Sequence, residues 1–253
     1  MNVHKFSPMK FTNGSYTLTK RVKFKRLDIF KLKTVQLVIE FAFNMTFGAK
    51  GEHRQTRSGG SIARDNFEIF ANTFQGKLSE FAVANILYKH KQFKVPDLST
   101  HGLGVWEDAD FQLGKNVIAV KSTKSYGNLI LLECKDWDKN GKYLASLTEP
   151  RTYSHIVLVR IKPDIQEILM QYKLQRRQEV SLAEFKSHLS KYDWEYDIPG
   201  YITNFDLIDV IGKGFKIPKG ALLNHSVKMD AENFYVQAGD LRPAENLITE
   251  FDN

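Results

Sequence analysis

Apolar residues at positions 29, 32, 35, 39, 42 and 43 recur every three or four residues, which predicts a helix over 29–47. Similar spacing predicts a second helix over 62–74 and a third over 77–90, with Gly76 as the break between them. After Gly104 the period shortens. Segments 105–113, 117–123 and 129–134 have strand character, separated by Gly114-Lys115-Asn116 and by Ser125-Tyr126-Gly127-Asn128. Connections this short predict consecutive antiparallel hairpins. Residues 156–162 form a continuously apolar strand, followed by a helix from Asp164, with Glu167 at capping-box spacing. A second capping box, Ser181 and Glu184, opens a helix to about Tyr192. Asp197-Ile198-Pro199-Gly200 predicts a turn, 205–211 a short helix ending at Gly212, and 234–236 a strand.

Ahead of the first helix, residues 11–27 predict short strands around an Asn13-Gly14 turn. The run Lys20-Arg21-Val22-Lys23-Phe24-Lys25-Arg26 follows. It suits a solvated edge strand and phosphate contact equally well. The elements together predict one α/β domain over residues 1–253, a mixed central sheet flanked by helices.

Composition changes this picture in one respect. The 253 residues are 42% hydrophobic and 26% charged, ordinary globular proportions, with a net charge of +7. Residues 1–64 hold 13 Lys/Arg and 3 Asp/Glu, whereas the rest hold 23 and 26. A near-neutral body thus follows a strongly basic first quarter, the charge pattern of a polyanion-binding protein. Within that quarter, 48–60 is a Gly- and Arg-rich loop, and Arg54, Arg57 and Arg64 are candidates to grip a phosphate backbone. Cys134 is the sole cysteine, so an internal disulfide and a zinc cluster are both excluded. The most apolar stretch, 35–47, is interrupted by Gln36, Glu40 and Asn44, and the amino terminus lacks the layout of a signal peptide. A soluble, cytoplasmic protein without membrane contact is expected.

The candidate chemistry sits in the first predicted hairpin. Alternation along 105–113 puts Trp106, Asp108, Asp110 and Gln112 on one face, with an apolar face opposite broken only by Glu107. Along 117–123, Val117, Ala119, Lys121 and Thr123 share a face, and pairing through the Gly114 turn brings Lys121 to the face of Asp110. Carboxylates and an ammonium converging on a sheet surface can hold a divalent cation and an activated water; a solvated salt-bridge face has the same pattern. Glu80 shares its helical stripe with Gly76, Val83, Ala84 and Leu87, and a carboxylate on an apolar stripe requires a partner such as a cation.

At these residues, across about 76–135, the chain resembles the PD-(D/E)XK nuclease superfamily, the restriction-endonuclease-like fold. The likeness rests on a helix glutamate, an aspartate on a hairpin, and the string Val120-Lys121-Ser122-Thr123. It implies that Asp110 binds metal, that Lys121 orients or deprotonates the attacking water, that Glu80 is the helix glutamate, and that Asp108 supports them. It further implies Mg2+ as cofactor with Mn2+ as a substitute, a double-stranded DNA substrate, a homodimer, and a type II restriction or phage-defence role in which a methyltransferase accompanies the enzyme. Lys23, Lys25, Arg26, Ser122, Thr123 and Lys124 join the three loop arginines as expected DNA contacts. The departure is Ala119, where the family carries an acid; Glu80 and Asp108 are the natural substitutes. Glu133-Cys134-Lys135 supplies a rival, literal Glu-x-Lys. Two other functions stay open: a catalytically inactive DNA-binding protein on the same fold, and a structure-specific repair or junction nuclease.

Overall fold

A computed structural model describes residues 4–48, 65–92, 94–99, 110–146, 149–174 and 180–249. Asp108, Arg54, Arg57, Arg64 and the 48–60 loop beyond Gly48 lie outside the described residues. So does most of the predicted 105–113 strand.

In chain order the elements are β1 (Lys10–Thr12), β2 (Ser15–Thr17), β3 (Asp28–Ile29), α1 (Leu32–Phe47), α2 (Asn66–Lys89), β4 (Phe111–Leu113), β5 (Asn116–Lys124) and β6 (Leu129–Glu133). There follow β7 (Lys142–Tyr143), β8 (Arg151–Thr152), β9 (His155–Lys162), α3 (Ile165–Gln171), α4 (Leu182–Leu189), β10 (Glu195–Thr203) and α5 (Asn204–Gly212). The carboxyl-terminal part adds β11 (Lys216–Ile217), β12 (Leu222–Leu223), β13 (Val227–Lys228), β14 (Asn233–Gln237) and α6 (Asn246–Thr249).

The fold is mixed α/β. A five-stranded sheet runs in the order β3-β10-β9-β5-β4, with β5 and β9 parallel and the other pairs antiparallel. β9 explains why the sheet is central. All but the last of its residues are buried, so both of its faces are covered, as its unbroken apolar run requires. Val157, Val159 and Ile161 join Phe70, Phe74, Leu78 and Leu87 of α2 in one core. Ile156 and Leu158 look the other way, toward Ala119, Ile130, Leu207, Val210 and Val236 in a second core. Helices α1 and α2 therefore cover one face, while α5 and the small β11-β14-β6 sheet cover the other.

Several predicted features differ, each for a physical reason. Gly76 does not break a helix: α2 runs unbroken from Asn66 to Lys89. An interior glycine costs about 1 kcal/mol, and the buried Phe70, Phe74, Leu78 and Ala82 on both sides of it outweigh that. β5 and β6 are not a hairpin pair. β6 pairs with β14, and β5 takes β9 as its second neighbour. Asp197–Gly200 is not a turn between elements but a bulge inside β10, where the register shifts against β9. Ser181 precedes α4 without a capping hydrogen bond from its side chain. Asp164 caps α3 by accepting from Gln166 rather than as half of a capping box. The capping box present is Thr203 with Asp206, at the start of α5. Asn13 and Gly14 do form the β1–β2 turn, both with positive φ (51° and 74°). The cationic run 20–26 belongs to no sheet.

Candidate functional site

The β4–β5 ladder sets the geometry. Leu113 faces Asn116 and Phe111 faces Ile118 around the Gly114-Lys115 turn, and the strand pairing stops there. One step further, the N–H of Val120 donates to Oδ2 of Asp110 at 2.6 Å. A side chain thus takes a hydrogen bond that a neighbouring strand would otherwise accept, and Asp110 is pinned where the hairpin ends. Burial pushes its carboxyl above the ordinary carboxylate range. The Val120 hydrogen bond and then the charges of Lys121 and Lys77 act against that rise without cancelling it.

The two lysines whose charges act on Asp110 lie on different sides of the sheet. Lys121 lies opposite Leu158 in the β5–β9 register, on the face away from α2. Lys77 comes from α2, which packs on the other face with Ile118 and Val120. Lys77 Nζ lies 2.6 Å from Glu80 Oε2, both side chains are largely buried, and the same ammonium sits 5.1 Å from the centre of the Phe41 ring. The partner that a carboxylate on this apolar stripe requires thus includes a lysine one turn earlier. Sequence reasoning missed Lys77, although its i,i+3 spacing to Glu80 was a usable signal.

Ala119 is 5% exposed, packed against Phe6, Ile130, Leu132, Ile156 and Leu158. The position at which the family carries an acid is therefore core. On the Lys121 side, however, a cleft of about 580 Å³ is lined by Lys121, Glu133, Asp136, Lys228, Asp230 and Asn233 among others. Glu133, the acid of the rival Glu-x-Lys, thus shares a cleft with the lysine of the first register. Its own partner Lys135 is mostly exposed and 3.9 Å away. Asp136 and Asp230 are further acids of this cleft that the hairpin pattern did not indicate.

The remaining expected contacts divide. Lys23, Lys25 and Arg26 are exposed; Arg26 pairs with Glu195 at 3.3 Å. Ser122 points toward α2 and accepts from Gln75 at 3.4 Å. Lys124 is drawn to the cap of α3, 2.7 Å from Asp164 and 2.9 Å from Gln166. Ser122 and Lys124 thus each hold a partner within the fold, while Ser122 also lines the cleft and the Lys124 side chain is 31% exposed. Thr123 faces Gly127, where even a Cβ would overlap its side chain. Trp137, Trp194 and Tyr201 are core as their type suggests, but Tyr126 is 67% exposed. Cys134 is a free thiol whose pKa burial and Glu232 push up to about 12, which favours its protonated form at neutral pH.

Among the described residues no group of three or more His, Cys, Asp or Glu converges as a metal cage, and no helix is long and apolar enough to cross a membrane. The chain matches no family model, no curated protein and no solved structure.

Proposed function

We propose that this protein is a metal-dependent endonuclease of restriction-endonuclease-like fold that cleaves double-stranded DNA, in a restriction or phage-defence setting and as a homodimer. The observation that carries the reading is Asp110. It is fixed by the Val120 N–H at the point where β4 and β5 part, and the charges of Lys121 and Lys77, on opposite faces of the sheet, both act on it.

The oxygen donors suit a hard cation. The charge of Lys77 acts on Asp110, and Glu80 bonds the same ammonium, so Lys77 is the cation that links the two carboxylates. Asp110 and Glu80 would hold Mg2+ or Mn2+, which supplies Lewis-acid stabilisation of phosphate charge when bound. Lys121 then orients a water for in-line attack from the cleft side, and its charge favours the hydroxide form of that water. Glu133 is an acid on that side of the sheet, where Ala119 provides none.

Supercoiled plasmid incubated with the protein and Mg2+ or Mn2+ tests this; nicked or linear product is expected, and intact plasmid across metals and salt concentrations contradicts it. A second reading, a DNA-binding protein without catalysis, is favoured by the burial of Ala119 and by the lysine already at Glu80. Tight binding that metals do not convert into cleavage distinguishes it.

A further inference from the structure

The run Lys20–Arg26 joins no sheet, yet the body holds the backbone of Lys20, Val22, Lys23 and Lys25. Gln237 Oε1 accepts from the N–H groups of Thr19 (2.7 Å) and Lys20 (3.1 Å), and Gly239 N–H donates to Lys20 C=O (3.3 Å). Asn128 Oδ1 accepts from Val22 N–H at 2.7 Å. Arg160, whose residue is fully buried, donates from Nη1 to Val22 C=O (2.7 Å) and from Nη2 to Lys23 C=O (3.0 Å). Its partner Asp197 accepts from Lys25 N–H at 2.8 Å, and Tyr196 C=O accepts from Leu27 N–H at 2.8 Å. The guanidinium also lies 5.7 Å from the centre of the Phe24 ring.

Exposure alternates along residues 21–25. Val22 and Phe24 turn inward, while Arg21, Lys23 and Lys25 turn out, flanked by Lys20 and Arg26. At the roughly 3.3 Å per residue of extended backbone, cations on alternate residues would sit roughly 6.6 Å apart. That is comparable to the spacing of phosphates along one nucleic-acid strand. Among the described residues, Lys20, Lys23 and Lys25 have no carboxylate partner, and Arg21 contacts only the Asn224 amide oxygen, at 3.3 Å. Five exposed cations in seven residues repel one another, and a loose chain would spread them. Here the fold spends a buried Arg–Asp pair and two side-chain amides to keep them in line.

We propose that residues 20–26 are a preorganised rail for the phosphate backbone of a nucleic acid, with Arg160 and Asp197 as the residues that position it from beneath. The assignment of the partner rests on the DNA-directed reading above, and deepens it by naming where one strand is gripped. Because the backbone is already held, binding avoids the cost of ordering the loop that a loose cationic segment would add. A lipid surface fits less well, since the apolar residues of the segment, Val22 and Phe24, face the protein and leave none to insert.

The test uses full-length protein and fluorescence anisotropy with a 20-base-pair duplex from 50 to 200 mM salt. Lys23→Gln/Lys25→Gln is compared with a control of equal charge loss at exposed sites elsewhere, Lys139→Gln/Lys219→Gln. Removing two phosphate contacts should lower the slope of log K against log salt by about 2, and weaken binding at 50 mM salt on the order of tenfold to a hundredfold. The control should stay near wild type. Equal effects of the two double variants, no change in either slope, or tighter binding to phosphatidylserine vesicles than to the duplex overturns the rail. Arg160→Lys keeps the charge and loses the fork; weaker binding at an unchanged slope is expected from a loosened rail, and wild-type binding by a folded Arg160→Lys protein contradicts the positioning role. Cleavage is scored separately. A wild type that binds with the rail-dependent slope but never cuts refutes the nuclease reading and leaves the rail standing. Cutting with a rail-independent slope does the reverse.

Discussion

Two clusters of opposite charge lie on the five-stranded sheet, and they are built differently. At Arg160–Asp197, a cross-strand pair of β9 and β10, the guanidinium meets the carboxylate through two nitrogens and spends its remaining donors on backbone carbonyls. Asp197 in turn accepts from Lys25. Donors and acceptors are matched, as burial of an ion pair demands. At Asp110 the matching stops short. Among the described residues one backbone N–H donates to a carboxyl whose burial, opposed by that bond and by the charges of Lys121 and Lys77, still raises its pKa. The first cluster is organised to hold chain in place. The second keeps a carboxyl in an environment that disfavours its charge, which is how sites that bind cations or move protons differ from structural pairs.

The largest expected effect separates the two. Asp197→Ala leaves a buried guanidinium without its carboxylate and should cost about 3–5 kcal/mol in chemical denaturation. A cost below about 1 kcal/mol would mean that the pair is dispensable and that the contrast is false. Lys77→Met should cost about 1–3 kcal/mol by removing the ammonium beside Glu80. Its sharper readout is metal. Magnesium should raise the melting temperature of Lys77→Met more than that of wild type, because the cation no longer competes with the lysine. Equal shifts would remove Glu80 from the metal site.

Asp110→Asn should act in the opposite direction and more weakly. A carboxyl whose pKa is raised by folding favours the fold at pH below its ordinary value, and that contribution is lost as pH climbs through the raised value. Asparagine can still accept from Val120 without carrying charge. The variant should therefore melt higher than wild type near neutral pH, with the gain fading in acid. A variant less stable than wild type at neutral pH would show that the Asp110 charge is well accommodated, and would erase the difference between the clusters.

Much of the architecture was legible in the residues. α1, the β4–β5 turn at Gly114-Lys115 and the continuous apolar strand β9 follow from local pattern, because periodicity and turn chemistry report local structure directly. What escaped is what depends on distant partners. The parallel pairing of β5 with β9 and the antiparallel pairing of β6 with β14 are decided by packing across about 40 to 100 residues of chain. Lys121 and Asp110 were visible as a pair, whereas the approach of Lys77 from the opposite face was not, since it depends on how α2 crosses the sheet. Arg160 was the overlooked clue: an arginine inside an apolar strand must be paired, and Asp197 sits in what the local sequence reads as a turn.

The most direct test of the central claim is metal-dependent cleavage of supercoiled plasmid by wild type and by Lys121→Ala, with thermal melting run on both. Wild type should convert the plasmid to nicked or linear DNA in the presence of Mg2+. Lys121→Ala should retain its fold and cut on the order of 10²–10⁴-fold more slowly, the usual worth of a group that manages a proton in the reaction. Undiminished cutting by a folded Lys121→Ala protein would contradict the assignment of Asp110 and Lys121 as the catalytic pair.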